Sequence, residues 1–277
     1  MNQKTTKFPI NLFCSLMLLS FIPFLYTLVR TNLIANSPSA DGLDIAGHIE
    51  WFDLINETIQ AFLIVPLFAL FNRCIQDKEK FKERIFQSFF IVNVIYIAFS
   101  AAVLIHCNAI VSTMVFDRID EVTKYLALET IGFMISNIVC FVNVLFVVLE
   151  KPFYIYTMII LKTIFTIAGD LFLIPKFGVY GTALSNIAVS SVCVVLCMAV
   201  VFREKLITVS FHFEKSFVKD YLRIGLFGGS QILLDNIIYS AVVCKMVNAV
   251  SEQGNYWTAN NIIWGFMLCM KAKHESC

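Results

Sequence analysis

Residues 159–190 read IILKTIFTIAGDLFLIPKFGVYGTALSNIAVS, two apolar runs joined by a short turn that contains Pro175 and Gly178. The first run also carries Lys162 and Asp170. Placing a carboxylate inside hydrocarbon costs several kcal/mol, so an acid in such a run marks a candidate functional site. The rest of the sequence must supply the surroundings of Asp170.

The overall composition indicates that the chain is solvated by a lipid bilayer. Of the 277 residues, 58% are hydrophobic and only 15% are charged, and the mean hydropathy is +0.77. Such a chain would expose far more apolar surface than water tolerates. We therefore predict an all-α polytopic membrane protein whose partner is the lipid bilayer. The net charge of +1 does not indicate a nucleic-acid partner.

Eight apolar segments have a length suited to crossing a bilayer. The segment between the sixth and the seventh, residues 203–223, is basic and mildly amphipathic, which favours a cytoplasmic helix lying on the membrane surface. The sequence therefore predicts a six-helix unit over residues 1–202, a linker over 203–223, and the first two helices of a second unit over 224–277. The eight segments lie at about residues 8–33, 51–71, 85–107, 122–149, 153–174, 179–202, 224–247 and 256–270.

The distribution of basic residues predicts the orientation. With eight spans, one side of the membrane holds 15 of the Lys and Arg residues in the tails and connections, whereas the other side holds only Arg118 and Lys176. The side richer in bases is cytoplasmic. We therefore expect both termini in the cytoplasm and a multi-pass location in the cell membrane, either plasma or inner.

This orientation assigns a depth to the charged residues inside the spans. Arg30 lies near the outer end of the first span, Asp170 in the outer half of the fifth, and Glu129 about two turns below the outer end of the fourth. These three residues share one layer, in which Arg30 could meet Asp170. Asp53 and Glu57 of the second span are rival partners for Arg30.

Polar side chains fill the same region, and other interpretations of the charges remain open. Thr166, Asn137 and Asn143 are expected to face inward, and Asp235 lies near the middle of the seventh span. Alternatively, Arg30 reaches the outer headgroups and the acid is only structural. A direct pair between Lys162 and Asp170 is not expected, because eight residues of helix separate them by about 12 Å.

Motifs of soluble enzymes do not occur in the sequence. The four histidines have no second ligand at metal-binding spacing and no adjacent nucleophile, and no glycine-rich phosphate loop is present. The nine cysteines lack CxxC spacing and read as small apolar residues. We expect no enzymatic activity, cofactor or metal. Asp117, Asp120 and Glu121 leave open an intramembrane transferase that uses a divalent ion.

The stretch IFTIAGDLFLIPKFGVYGTALSNIAVS, residues 164–190, resembles the junction between the fifth and sixth helices of the multidrug and toxic compound extrusion (MATE) transporters. In that family an Asn-x-x-x-Asp stretch leads into a Gly-x-x-Gly-x-Ala-x-Ala/Ser turn. Thr166 stands where the family often has Asn, and Asp235 stands where many members carry an acid in the seventh helix. The matching residues of the acid and the turn are Asp170, Gly178, Gly181, Ala183 and Ser185.

The resemblance implies a fold of twelve helices in two lobes of six, of which this chain would hold the first lobe and two further helices. It implies a truncated chain that is inactive alone, since transport needs two lobes. The implied function of the parent is export of organic or drug-like compounds by antiport with Na+ or H+ bound at Asp170. The alternative is a flippase for lipid-linked oligosaccharides, which lines its cavity with Arg and Lys.

One departure from the family pattern concerns the first helix. Family members commonly have an acid near its outer end, in a segment resembling LYNLVDTIFVG, and this chain reads LYTLVRTNLIA with Arg30 in that place. The partners implied are a small organic substrate and a coupling cation. The candidate cation- and substrate-binding residues are Asp170, Glu129, Arg30, Thr166, Asn137 and Asp235.

Overall fold

The computed structural model describes residues 26–37, 41–250, 252–260 and 262–263, and these residues form helices with no strand among them. A six-residue π-helical turn, Tyr239–Cys244, joins the helix Lys215–Ile238 to the helix Lys245–Ala249. The helices are α1 (residues 26–35), α2 (Gly42–His48), α3 (Glu50–Leu63), α4 (Val65–Cys74), α5 (Lys78–Ile105), α6 (Cys107–Met114), α7 (Ile119–Val148), α8 (Pro152–Phe177), α9 (Tyr180–Arg203), α10 (Lys215–Ile238), α11 (Lys245–Ala249) and α12 (residues 253–260).

The all-α membrane class is confirmed. Within the described ranges, six helical stretches are long and apolar enough to cross a membrane, and they coincide with the second to the seventh predicted spans. Most of the first predicted span and the second half of the eighth lie outside the described residues. The six stretches are Gly42–Cys74, Lys78–Ile105, Ile119–Val148, Pro152–Phe177, Tyr180–Arg203 and Lys215–Ala249.

Two connections differ from the sequence-based expectation. Residues 35–50, which lie between the first two predicted spans, contain the short helix α2, which is buried along most of its length. The observed stretch Gly42–Cys74, which contains the second predicted span, is interrupted at Ile49, before that span, and at Ile64, within it. Pro66 explains the second break, because proline has no backbone N–H to donate and is tolerated in the first turn of a helix.

The structure corrects the prediction that residues 203–223 form a helix on the membrane surface. Residues 206–214 belong to no helix, and α10 begins only at Lys215. The stretch is rich in β-branched and aromatic residues, which favour an extended backbone. It lies along the start of α5, where Thr208 N donates to Lys82 O at 3.4 Å and Gln87 Nε2 donates to His212 O at 2.9 Å.

A buried arginine fixes this extended connector. Arg84 on α5 is 5% exposed, donates to Gln87 Oε1 at 2.7 Å and forms an ion pair with Glu214. Its guanidinium carbon also lies 4.3 Å from the centre of the Phe217 ring. The connector is therefore attached to α5 by a charged group that must keep its partners, because an unpaired buried charge is costly.

The reversal between α8 and α9 takes only two residues. The first helix continues through Pro175 to Phe177 and ends at Gly178, which has φ of 59°. The second helix begins at Tyr180 and packs closely along the first. A Cβ atom on Gly181 would lie 2.5 Å from the backbone carbon and oxygen of Leu173, so this position accepts only glycine.

We expect Gly181→Ala to lower the free energy of unfolding by about 1–3 kcal/mol, because backbone atoms must move to admit the methyl group. The measurement is thermal or denaturant unfolding of the detergent-solubilised chain. The matched control is Gly228→Ala on α10, where the nearest atom to the added Cβ is Val65 Cγ1 at 3.8 Å. Equal stability of the two variants would contradict the close approach of α8 and α9.

We expect Glu214→Gln to release the connector, so that amide hydrogen exchange in residues 204–214 becomes several-fold faster at pH 7. Hydrogen bonding and the charge of Arg84 hold the pKa of Glu214 below its usual range. A lowered carboxyl pKa adds stability that is present above the unfolded value and is lost as pH falls through the folded value.

In the wild type, exchange in the connector, corrected for its intrinsic pH dependence, should therefore stay constant from pH 8 to pH 6 and rise only in acid. Glu83→Gln, on the same turn of α5 and outside the ion pairs of the described residues, serves as the control. A connector that exchanges equally fast in both variants would show that the ion pair does not hold it.

Candidate functional site

An ion pair inside the helix bundle joins α1 to α8. Arg30 Nε lies 2.6 Å from Asp170 Oδ2, and Arg30 Nη2 lies 3.3 Å from Asp170 Oδ1. Asp170 is completely buried, and the Arg30 side chain is 20% exposed. Arg30 also donates to Tyr26 Oη at 3.1 Å. The guanidinium thus contacts both oxygens of the carboxylate. This bidentate arrangement is the one that best compensates a carboxylate charge buried in hydrocarbon.

Asn186 on α9 connects this ion pair to Glu129 on α7. Its Oδ1 accepts a hydrogen bond from Arg30 Nη2 at 3.0 Å, and its Nδ2 lies 3.4 and 3.5 Å from the two carboxylate oxygens of Glu129. Glu129 is 5% exposed. The amide, on α9, therefore joins an arginine and two acids from three other helices in one connected cluster.

Asn186 was not among the residues selected from the sequence. The only available signal was that Asn186 is the single amide side chain in the sixth apolar segment, residues 179–202, whose other polar side chains are hydroxyls and thiols. Its role depends on the rotation of α9 about its own axis. A membrane helix that is apolar on all sides gives no periodic signal for that rotation.

Three residues of the cluster line a cavity of about 280 Å³ between the helices. Arg30, Glu129 and Asn186 contribute polar atoms to its wall, as does Asp53 on α3. Tyr125 and Thr182 also line it and hydrogen-bond to each other at 3.1 Å. The residues that complete the wall are Ile34, Ala46, Ile49, Asn56, Phe133 and Trp257.

A second cavity of about 130 Å³ adjoins the first and shares Glu129, Phe133 and Asn186 with it. Lys162 and Thr166 of α8 contribute to its wall, and Thr166 Oγ1 donates to the backbone oxygen of Lys162 at 2.7 Å. Ser136, Ser190, Gly132 and Val189 complete the wall. Glu129 therefore lines two adjoining cavities.

The remaining candidates lie apart from this cluster. Asn137 is completely buried, lines neither cavity, and its side chain has no hydrogen-bond partner among the described residues. Asp235 is exposed on α10 and also lines neither cavity. Of the rival partners for Arg30, Asp53 lines the larger cavity, whereas Glu57 lies 3.3 Å from Asn236 Nδ2.

Comparison with solved structures identifies the fold. A crystal structure described as MATE in complex with MaD3S aligns with a TM-score of 0.79 and 17% identity over 96% of this chain. A MOP superfamily transporter from Pyrococcus furiosus, described as having a reverse polarity of its binding pocket, aligns with a TM-score of 0.80 and 17% identity over 96% of the chain. MATE in the straight conformation aligns at 0.73 with 14% identity, again over 96%.

The protein therefore has the fold of the MATE transporters, as the resemblance in residues 164–190 implied. The chain spans 63%, 62% and 69% of the length of these three structures, respectively. No protein-family model matches the chain, and no curated protein matches it by sequence.

We expect Arg30→Met to lower the free energy of unfolding by about 3–5 kcal/mol, because it leaves the buried carboxylate of Asp170 without its cation. The double variant Arg30→Met, Asp170→Asn should recover most of this loss, because position 170 then carries no charge that needs compensation. The measurement is unfolding of both single variants and the double variant in one detergent. Strictly additive effects would contradict the direct ion pair.

Proposed function

We propose that the protein belongs to a secondary active transporter that exports small organic compounds in exchange for H+ or Na+. The observation that supports this most is the buried cluster of Arg30, Asp170, Asn186 and Glu129, of which all but Asp170 line a cavity within a MATE-like fold. Charged groups inside a membrane are costly, and those that face an internal cavity are typical of ion and substrate pathways. The complete transporter would require a second lobe.

Glu129 is the acid of the cluster best suited to carry the coupling cation. An arginine side chain stays protonated in proteins, so Arg30 permanently compensates Asp170 and occupies both of its oxygens. Glu129 forms no ion pair among the described residues and faces both cavities. We therefore assign Glu129 the role that the family resemblance gave to Asp170, and we assign Asp170 the role of holding Arg30.

The contacts of Asn186 supply a coupling route. A proton or Na+ on Glu129 would weaken the attraction between its carboxylate and Asn186 Nδ2. The other end of the same amide accepts from Arg30, which is bound to Asp170. Cation binding on α7 would thereby change the contacts of α1 and α8. A substrate cation would compete for the same acid, and this competition is the basis of antiport.

The walls of the larger cavity suit an amphipathic cation. Phe133, Tyr125 and Trp257 provide aromatic surface, and Glu129 and Asp53 provide negative charge. Aromatic faces and carboxylates together attract organic cations. The space of about 280 Å³ accommodates part of a drug-sized molecule.

A flippase for lipid-linked oligosaccharides is the second candidate. Arg30 lines the larger cavity and Lys162 the smaller one, and bases of this kind could hold a pyrophosphate group. The structurally similar transporter from Pyrococcus furiosus is described as having a reverse polarity of its binding pocket, which suggests a different function for that protein. In a flippase, Lys162 rather than Glu129 would determine binding.

We expect the purified chain in nanodiscs to bind tetraphenylphosphonium, with Glu129→Gln weakening the binding at least tenfold and Lys162→Met leaving it nearly unchanged. Fluorescence of Trp257, which lines the cavity, provides the readout, with Trp257→Phe to identify its signal. Acidification from pH 8 to pH 5.5 should release the bound cation from the wild type, because protons compete for Glu129.

Glu57→Gln is the control, because Glu57 is an exposed acid of α3 that lines neither cavity. Binding that survives Glu129→Gln would overturn the role of Glu129. Binding of inorganic pyrophosphate that disappears in Lys162→Met, together with no response to tetraphenylphosphonium, would favour the flippase.

A further inference from the structure

The side of α3 that lines the larger cavity carries a buried amide without a partner. Ile49, Asp53 and Asn56 all contribute to the cavity wall, and their spacing of four and three residues places them on one side of the helix. Asn56 is 8% exposed, and its Oδ1 has no hydrogen-bond partner among the described residues. An unpaired buried amide destabilises a fold, so its presence beside a cavity requires an explanation other than packing.

Asp53 adds a second hydrogen-bond acceptor next to this amide. It lies three residues before Asn56, and side chains at this spacing are neighbours on a helix surface, with Cβ atoms about 5–6 Å apart. Its carboxyl group forms neither an ion pair nor a side-chain hydrogen bond within the ranges that the structure describes. A carboxylate beside a bound cation offers only acceptor oxygens. Two adjacent acceptors on α3 thus face the cavity without a donor from this part of the chain.

The rest of the wall favours an organic cation over an anion or a metal ion. Glu129 lines the same cavity as Asp53, and two carboxylates that share an apolar space repel each other unless a cation lies nearby. Arg30, the base of this wall, is already bound to both oxygens of Asp170. Phe133 and Trp257 supply aromatic surface, which suits the hydrocarbon part of a ligand, and a metal ion has no such part.

The paired acceptors distinguish two classes of organic cation. A protonated primary amine carries three N–H donors, like the ammonium group of lysine, whereas a quaternary ammonium group carries none. A quaternary group placed against α3 would exclude water from Asn56 and Asp53 and give them no hydrogen bond in return. Sites built to hydrogen-bond a ligand group reject an analogue that lacks the group, because the polar atoms of the site then stay unpaired.

We infer that Asp53 and Asn56 bind the ammonium group of the substrate, and that the preferred substrates are amphipathic primary amines rather than quaternary cations. This inference rests on the proposed function, because it specifies the class of organic cation that the larger cavity takes. The ammonium group donates to Asn56 Oδ1 and to Asp53, and the hydrocarbon part lies against Phe133 and Trp257. A half-turn of the Asn56 amide, which exchanges its oxygen and nitrogen, breaks no hydrogen bond among the described residues. The amide is therefore free to present its oxygen to the ligand.

The test compares two cations that differ only in their N–H groups, phenylbutylammonium and its trimethylated analogue. Their binding to the full chain in nanodiscs is measured by titration calorimetry at pH 8, where protons compete least for the acids. We expect the wild type to bind the primary amine at least tenfold more tightly than the trimethylated ion. In Asn56→Leu this ratio should fall at least fivefold, with the affinity for the trimethylated ion changing less than twofold. Asp53→Asn should weaken binding of the primary amine at least tenfold.

Asn56→Leu should fold as stably as the wild type, because the lost amide has no hydrogen-bond partner among the described residues. Asn93→Leu is the control, since Asn93 is a half-buried asparagine of α5 that donates to Phe89 O at 2.8 Å and lines neither cavity. It should bind both ions like the wild type. Equal wild-type affinities for the two ions, a ratio unchanged in Asn56→Leu, or undiminished amine binding in Asp53→Asn would overturn this inference alone. A wild type that binds neither ion would overturn the proposed function together with it.

Discussion

The charge of Asp170 constrains the packing of the helices around it. A carboxylate with no exposed surface inside a membrane bundle must be compensated, and in this protein the compensation comes from an arginine on another helix. The same two nitrogens of the arginine that contact Asp170 also donate to other acceptors, Nε to Tyr26 and Nη2 to Asn186. Asn186 then meets Glu129 with its other end. One buried acid thus determines the contacts among α1, α7, α8 and α9.

The sequence was sufficient to predict the positions of the second to the seventh spans and the common level of Arg30 and Asp170. Long apolar segments and the spacing of basic residues give the location of each helix, and a rise of 1.5 Å per residue converts position into depth. That reasoning was enough to bring Arg30 and Asp170 to the same level, and the structure pairs them. Thr166 and Glu129 also lie beside polar cavities.

Rotation about the helix axes and the conformation of the connections could not be predicted in the same way. Helices that are apolar on every side do not indicate which side chain faces a neighbour, so Asn186 was missed and Asn137 was placed in the cluster. The helix α2 and the connector over residues 206–214 depend on distant contacts, such as Gly47 with Gln253 and Arg84 with Glu214. Sequence patterns describe local preference, and in these segments tertiary contacts decide the structure.

The two-residue reversal after α8 has a mechanical consequence. Because Gly178 ends α8 abruptly and Gly181 lets the backbone of α9 touch Leu173, the two helices form a stiff hairpin that behaves as one body. Asp170 and Asn186 lie on opposite arms of this hairpin, and both hold the same guanidinium. Arg30 therefore binds a rigid site formed by both helices of the hairpin. Of the helices α1, α8 and α9 that these contacts join, α1 is the one that can move away without bending α8 or α9.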